Sequence, residues 1–261
     1  MLPVEAPIRV RDMLDVRAYL DRIGYSGATE ATAANLRALH RAHLLAVPFE
    51  NLDISLGRKI VLDENAILKK IVELRRGGFC YELNCAFAAL LRSLGFQVTL
   101  LSARVARDHG GEGPEFDHLT LRIDGEDTWL ADVGFGDSFL EPLRLEAETE
   151  QPDAAGTFRL IEDGGRWRMQ KRGAEGNWTP QYSFSLQPRR FEEFARMCHF
   201  HQTSPDSSFT QKRLCSLATR EGRITLAERN LLVTRSGRQE TTMVSEEQRE
   251  KVLQREFGIR L

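Results

Sequence analysis

The sequence predicts a mixed α+β chain: a helical bundle, then an antiparallel β-barrel or curled sheet, then a small α/β end. Three observations carry this. In the first third, apolar residues recur at steps of three and four. From about Gln97 the period falls to two, with Asp-Gly and Gly-Gly pairs between apolar runs. Helix and strand signals then mix to the end, and no internal repeat is visible.

The first helix is expected over 12–23, where Met13, Val16, Leu20 and Ile23 share one face. A second starts near Thr32, carries Leu36, Leu39, His43, Leu44 and Val47 on one side, and stops at Pro48. A third takes Asp63 as N-cap, runs through Ile67, Ile71 and Leu74, and ends at Gly77-Gly78. The fourth begins at Cys80, carries Leu83, Phe87, Leu90, Leu91 and Leu94, and stops at Gly95. Between the second and third, Val47 to Leu52 reads as a buried crossing segment whose Glu50 needs a partner. Strands are expected at 97–105, 118–123 and 128–133, the last two around an Asp-Gly turn. Further strands at 158–161 and 167–170 flank Gly164-Gly165, and 178–186 completes the β-region. After Pro188 a short helix covers 191–197. Strands near Leu214, Ile224 and Leu232 precede a helix opened by Ser245, with Gln248 at capping-box spacing. The division is 1–95, 96–187 and 188–261.

Composition narrows the function. Thirty-six basic against 38 acidic residues give a net charge of -2, too even for a field that holds nucleic acid or an anionic membrane. The opening carries Arg9, Arg11 and Asp12 where a secretory signal would be apolar, and no apolar run approaches bilayer length. Four cysteines are too few for a disulfide scaffold, so a reduced, cytoplasmic setting is expected.

The chemistry concentrates in Arg76-Gly77-Gly78-Phe79-Cys80-Tyr81-Glu82-Leu83-Asn84. Two glycines let the chain turn sharply and place Cys80 in the first turn of a helix. There the free N–H groups and the dipole favour a thiolate and can hold an oxyanion. The thiol is therefore expected well below its usual value of about 8.5. Cys85, mid-helix among Ala86, Phe87 and Ala88, reads as core. A lone cysteine would read the same way, so the base matters. His118 lies on a strand, and a three-residue loop Asp124-Gly125-Glu126 would set it opposite Asp132, with Cβ atoms about 5 Å apart. A two-residue loop would oppose it to Ala131 instead. A solvated His–Asp pair fits the pattern equally; the apolar, glycine-rich Val133-Gly134-Phe135-Gly136 weighs against it. Gly110-Gly111-Glu112-Gly113 opens no helix and reads as a mobile loop. Cys80, Cys85 and His118 make no zinc pattern, and His40 with His43 lacks a third ligand, so no metal is expected.

These segments, Arg76 to Asn84, Val47 to Leu52, His118 on its strand and Asp132 to Gly136, together resemble the arylamine N-acetyltransferases. So does Gln202 to Phe209 followed by Leu214-Cys215-Ser216-Leu217. The resemblance runs from about residue 10 to the end and looks like the shorter, bacterial type. It implies a helical first domain, a barrel and an α/β lid joined by a helix, with a cysteine-protease/transglutaminase-like core. It implies a Cys80–His118–Asp132 triad, with acetyl-coenzyme A as cosubstrate and no permanently bound cofactor. Acetyl-cysteine would form first, and a small aromatic amine or hydrazine would then take the acetyl group. By the same resemblance Phe135 and Val105 would line the acceptor pocket, and Phe200, Asp206, Ser207 and Ser208 would lie near coenzyme A. Monomer or homodimer stays open. The competing readings are a cysteine hydrolase, an amide synthase using the same triad, and a non-catalytic binding module.

Overall fold

The structure, a computed structural model, describes residues 14–107, 110–173 and 175–261. Its helical part comprises α1 (Val16–Arg22), α2 (Ala33–Ala46), α3 (Leu52–Ser55), α4 (Glu64–Leu68) and α5 (Cys80–Ser93), with a short strand β1 (Phe49–Glu50) between α2 and α3. Thr32 and Asp63 cap α2 and α4 as expected, each side chain accepting a first-turn N–H. Met13 lies outside the described residues. The third helix differs from expectation: α4 winds into a π-turn at Lys69–Glu73 and ends before the glycines. Arg22 explains the break. Its buried guanidinium donates to the carbonyls of Ile71, Arg75 and Arg76, and to that of Ala46 at the end of α2.

Eight strands follow: β2 (Gln97–Val105), β3 (His118–Asp124), β4 (Thr128–Ala131), β5 (Leu143–Arg144), β6 (Gln151–Asp153), β7 (Gly156–Asp163), β8 (Arg166–Arg172) and β9 (Trp178–Ser185). They form one antiparallel sheet in the order β5-β4-β3-β2-β9-β8-β7-β6. Its two edges meet through a side chain. The Gln151 amide accepts from Arg144 N at 2.7 Å and donates to Arg144 O at 3.0 Å, standing in for a backbone ladder. The sheet is thus a nearly closed barrel around Leu101, Leu130, Phe139, Phe158, Met169 and Phe184.

A 3₁₀ turn (Phe191–Phe194) leads into α6 (Ala195–Thr203), longer than the expected 191–197, and α7 (Ser208–Gln211). The chain ends in β10 (Leu214–Thr219), β11 (Gly222–Ala227), β12 (Asn230–Arg235), β13 (Arg238–Met243) and α8 (Glu246–Phe257). β1 adds to this second antiparallel sheet, giving the order β1-β10-β11-β12-β13. One face packs on α8 through Cys215, Leu226, Leu231, Val252, Leu253 and Phe257. The other face looks back toward the barrel. No described helix is long and apolar enough to cross a membrane.

Candidate active site

Cys80 is the first residue of α5, and its geometry is set by close approach rather than by a left-handed turn. Neither Gly77 nor Gly78 has a positive φ. A Cβ at Gly77 would stand 1.9 Å from the Pro48 carbonyl oxygen, and one at Gly78 would meet the Glu82 carboxylate at 2.7 Å. The glycines are required because β1 and Glu82 crowd that backbone. Glu82 accepts the Phe79 N–H at 3.1 Å with one oxygen and the Lys70 ammonium at 2.7 Å with the other. Lys70 also bonds Asp53 at 2.7 Å, and Arg76 bonds both Glu50 and Asp53. Glu50 thereby finds the partner its burial demands. Burial, with the nearby Glu50 adding and Lys70 opposing, pushes the Glu82 carboxyl up to about 7.

Asn84, one turn beyond Cys80, ties this helix to the strands. Its amide donates to Leu119 O at 2.7 Å and to Asp132 Oδ1 at 2.9 Å, and accepts from Val133 N at 3.0 Å. Gly134 lets the strand end close on Cys80: a Cβ there would lie 2.8 Å from its Cα.

His118 Nε2 and Asp132 Oδ2 are 2.6 Å apart, both side chains buried. The hairpin register that brings them together is not the expected one. Asp124 pairs with Thr128 and Leu121 with Ala131, so the loop is Gly125-Glu126-Asp127. Continued, this register sets His118 opposite Gly134, and Asp132 is its diagonal neighbour. Two side chains leaning toward each other span the diagonal. Asp132 also accepts the Gly134 N–H at 3.0 Å. Burial pushes its carboxyl up, but His118, Asn84 and Gly134 outweigh that and hold it below the usual carboxylate range. With Nε2–H given to the carboxylate, Nδ1 is the ring nitrogen left for the thiol.

Burial works against the depressed thiol expected for Cys80. The side chain is buried, 4 % exposed, and burial pushes the thiol up. The Leu119 backbone opposes that rise, while Asp132 and Asp117 add to it.

One cavity of about 540 Å³ contains Cys80, His118, Val105, Phe135 and Ser208 in its wall. Phe49 and Phe209 line it from the helical side, and Ser216, Arg223, Thr225, Leu232 and Thr234 from the second sheet. Asp132 lies behind His118. Phe200, Asp206 and Ser207 are outside the wall. Phe200 is 37 % exposed, and the Ser207 hydroxyl is spent on His201 O and Phe209 N as the cap of α7. His40 joins the site unforeseen: Nδ1 faces Leu140 O at 2.8 Å, and Nε2 accepts the Asp132 N–H at 3.0 Å. Burial lowers its pKa, which keeps it a neutral acceptor. Among the described residues, no cluster of His, Cys, Asp or Glu could hold a metal ion.

A family model described as N-acetyltransferase matches residues 32–261. The chain is 35 % identical to the pineal gland isozyme NAT-3 arylamine N-acetyltransferase of Gallus gallus, over 95 % of each chain. Among solved structures, the arylamine N-acetyltransferase of Salmonella typhimurium superimposes with a TM-score of 0.89 at 35 % identity, covering 94 % of this chain and 90 % of that one. The Mycobacterium marinum arylamine N-acetyltransferase in complex with CoA gives 0.87 at 33 %, covering 94 % and 93 %.

Proposed function

The chain belongs to the arylamine N-acetyltransferase family, and on that premise we propose that it moves an acetyl group from acetyl-coenzyme A to aromatic amines or hydrazines through a thioester on Cys80. The observation that carries this reading is the buried His118–Asp132 pair at 2.6 Å, sharing one cavity with a cysteine at a helix N-terminus. Burial makes release of the Cys80 proton to water costly. Transfer to His118 Nδ1 creates no net charge, and Asp132 stabilises the imidazolium that results. The thiolate attacks the acetyl carbonyl, and first-turn N–H groups of α5 receive the oxyanion. The bond from acetyl carbon to coenzyme A sulfur then breaks, and His118 returns its proton to the departing thiol. In the second half the amine attacks the Cys80 thioester. His118 takes the amine proton and passes it to the leaving Cys80 sulfur.

Phe135 and Val105 suit the flat acceptor ring. Ser208, in the wall, is a candidate donor contact, together with Phe200, Asp206 and Ser207 outside the wall. We read 1–95, 96–187 and 188–261 as three domains that supply the thiol, the His–Asp pair and the opposite wall, acting in the cytoplasm.

Acetyl-coenzyme A without amine should add one acetyl group to the protein, and peptide mass spectrometry should map it to Cys80. Cys80→Ala should abolish it. Labelling at Cys85 or Cys198 instead would overturn the assignment.

A further inference from the structure

The second sheet presents one face to the cavity, and strict alternation decides which residues stand there. Ala218, Arg223 and Thr234 are cross-strand partners, as are Ser216, Thr225 and Leu232. Arg223 is the only Arg or Lys among the described residues of the cavity wall. Its side chain is 15 % exposed, yet its charge is poorly matched. Nη1 donates to the Ser216 hydroxyl at 3.0 Å. The nearest carboxylate, Asp137, stands 3.5 Å from Nε, is itself 67 % exposed, and is shared with Lys171 at 3.5 Å. Arg76, by contrast, holds Glu50 at 2.8 Å, and the buried Arg22 is met by four backbone carbonyls. A desolvated cation with a distant, solvated counter-ion gains most from an anion brought into the cavity.

We propose that Arg223 is a specificity residue that recognises a carboxylate carried by the aromatic amine. The inference rests on the reading of this cavity as the acetyl-transfer site. Size favours the acceptor over the donor as the source of the anion. Taken as a sphere, 540 Å³ is about 10 Å across, the scale of an aminobenzoate lying between Cys80 and Arg223. The extended pantetheine arm of a donor with its sulfur at Cys80 would carry the phosphates beyond that span. Asp137 competes with the substrate carboxylate for the guanidinium, so it sets how strongly the anion is preferred.

The test compares 4-aminobenzoate with uncharged 4-methylaniline at saturating acetyl-coenzyme A. Arg223→Met keeps the apolar stem and removes the charge. It should cut kcat/KM for 4-aminobenzoate roughly ten- to a hundredfold, mainly through KM, and leave 4-methylaniline within a few-fold. Asp137→Asn should act in the opposite direction, raising kcat/KM for 4-aminobenzoate a few-fold. Acetylation of Cys80 by acetyl-coenzyme A alone should change far less than kcat/KM for 4-aminobenzoate in both variants. Equal losses for the two amines would make Arg223 structural and overturn the proposal. So would a loss confined to Cys80 acetylation by acetyl-coenzyme A but absent with acetyl-pantetheine, because the donor's phosphates would then be the anion. A wild-type protein that never acetylates Cys80 would instead remove the transfer reading itself.

Discussion

At the scale of single residues, the hydrogen bonds around Asp132 fix where its neighbours' protons point. Asp132 accepts from His118, Asn84 and Gly134 at once, which leaves it no reason to be protonated. Asp132→Asn would retain the Asn84 and Gly134 bonds through its oxygen but turn an N–H₂ toward His118 Nε2. His118 would then take the other tautomer, with Nδ1–H facing the thiol. That variant should stay folded by circular dichroism, while Cys80 acetylation falls about 10³- to 10⁴-fold. A rate within a few-fold of wild type would make Asp132 structural only. The sequence made His118 and Asp132 legible as a pair because they flank one hairpin, although the diagonal register was not. His40 left no such trace. Its partners, Leu140 and the Asp132 amide, are remote in the chain, and on α2 it follows the spacing of an ordinary packed histidine.

At the scale of elements, the start of α5 is held by Glu50, Asp53 and Glu82 with the buried cations Lys70 and Arg76, and the exposed Arg58 reaches Asp53 at 3.9 Å. Glu82 is the member buried two residues from Cys80 at the start of the helix. Glu82 is raised to about 7 by burial, against about 4.3 when unfolded. A carboxyl raised on folding stabilises the fold below its unfolded value, and that contribution is lost as pH rises through the folded one. The stability of wild type minus that of Glu82→Gln should therefore fall by roughly 3 kcal/mol between about pH 4 and pH 7, then level off. Urea unfolding of both proteins across that range measures it. A flat difference would mean that Lys70 keeps Glu82 ionised throughout. The motif around Cys80 was readable as a helix start, but the purpose of its glycines was not, since the close approach of Pro48 and Glu82 is a tertiary fact. The same holds for β5 and β6, strands of two and three residues that carry no alternation and are joined by the Gln151 side chain.

For the whole molecule, two sheets face each other across a cavity, and one buried side chain ties the second to the helical part. Asn51, 2 % exposed, donates to Phe209 O at 3.0 Å and Lys212 O at 2.7 Å and accepts from Leu214 N at 2.7 Å. It follows β1, whose ladder to β10 is only two residues long. The three bonds from Asn51 therefore hold the segment that carries Ser208, Phe209 and Leu214 into the cavity wall. Asn51→Ala would strand three backbone groups and should cost roughly 3 kcal/mol in stability. Asn51→Asp keeps the acceptor for Leu214 N and loses both donations, so its loss should be intermediate. If the anchor sets the wall, amide exchange should rise first in α7 and β10, and KM for the amine should rise at temperatures where the protein remains folded. Cys80 acetylation by acetyl-coenzyme A would be affected less, because Cys80, His118 and Asp132 come from α5, β3 and the end of β4. Destabilisation spread evenly through all amides, with KM untouched, would show that Asn51 supports the fold without positioning the wall.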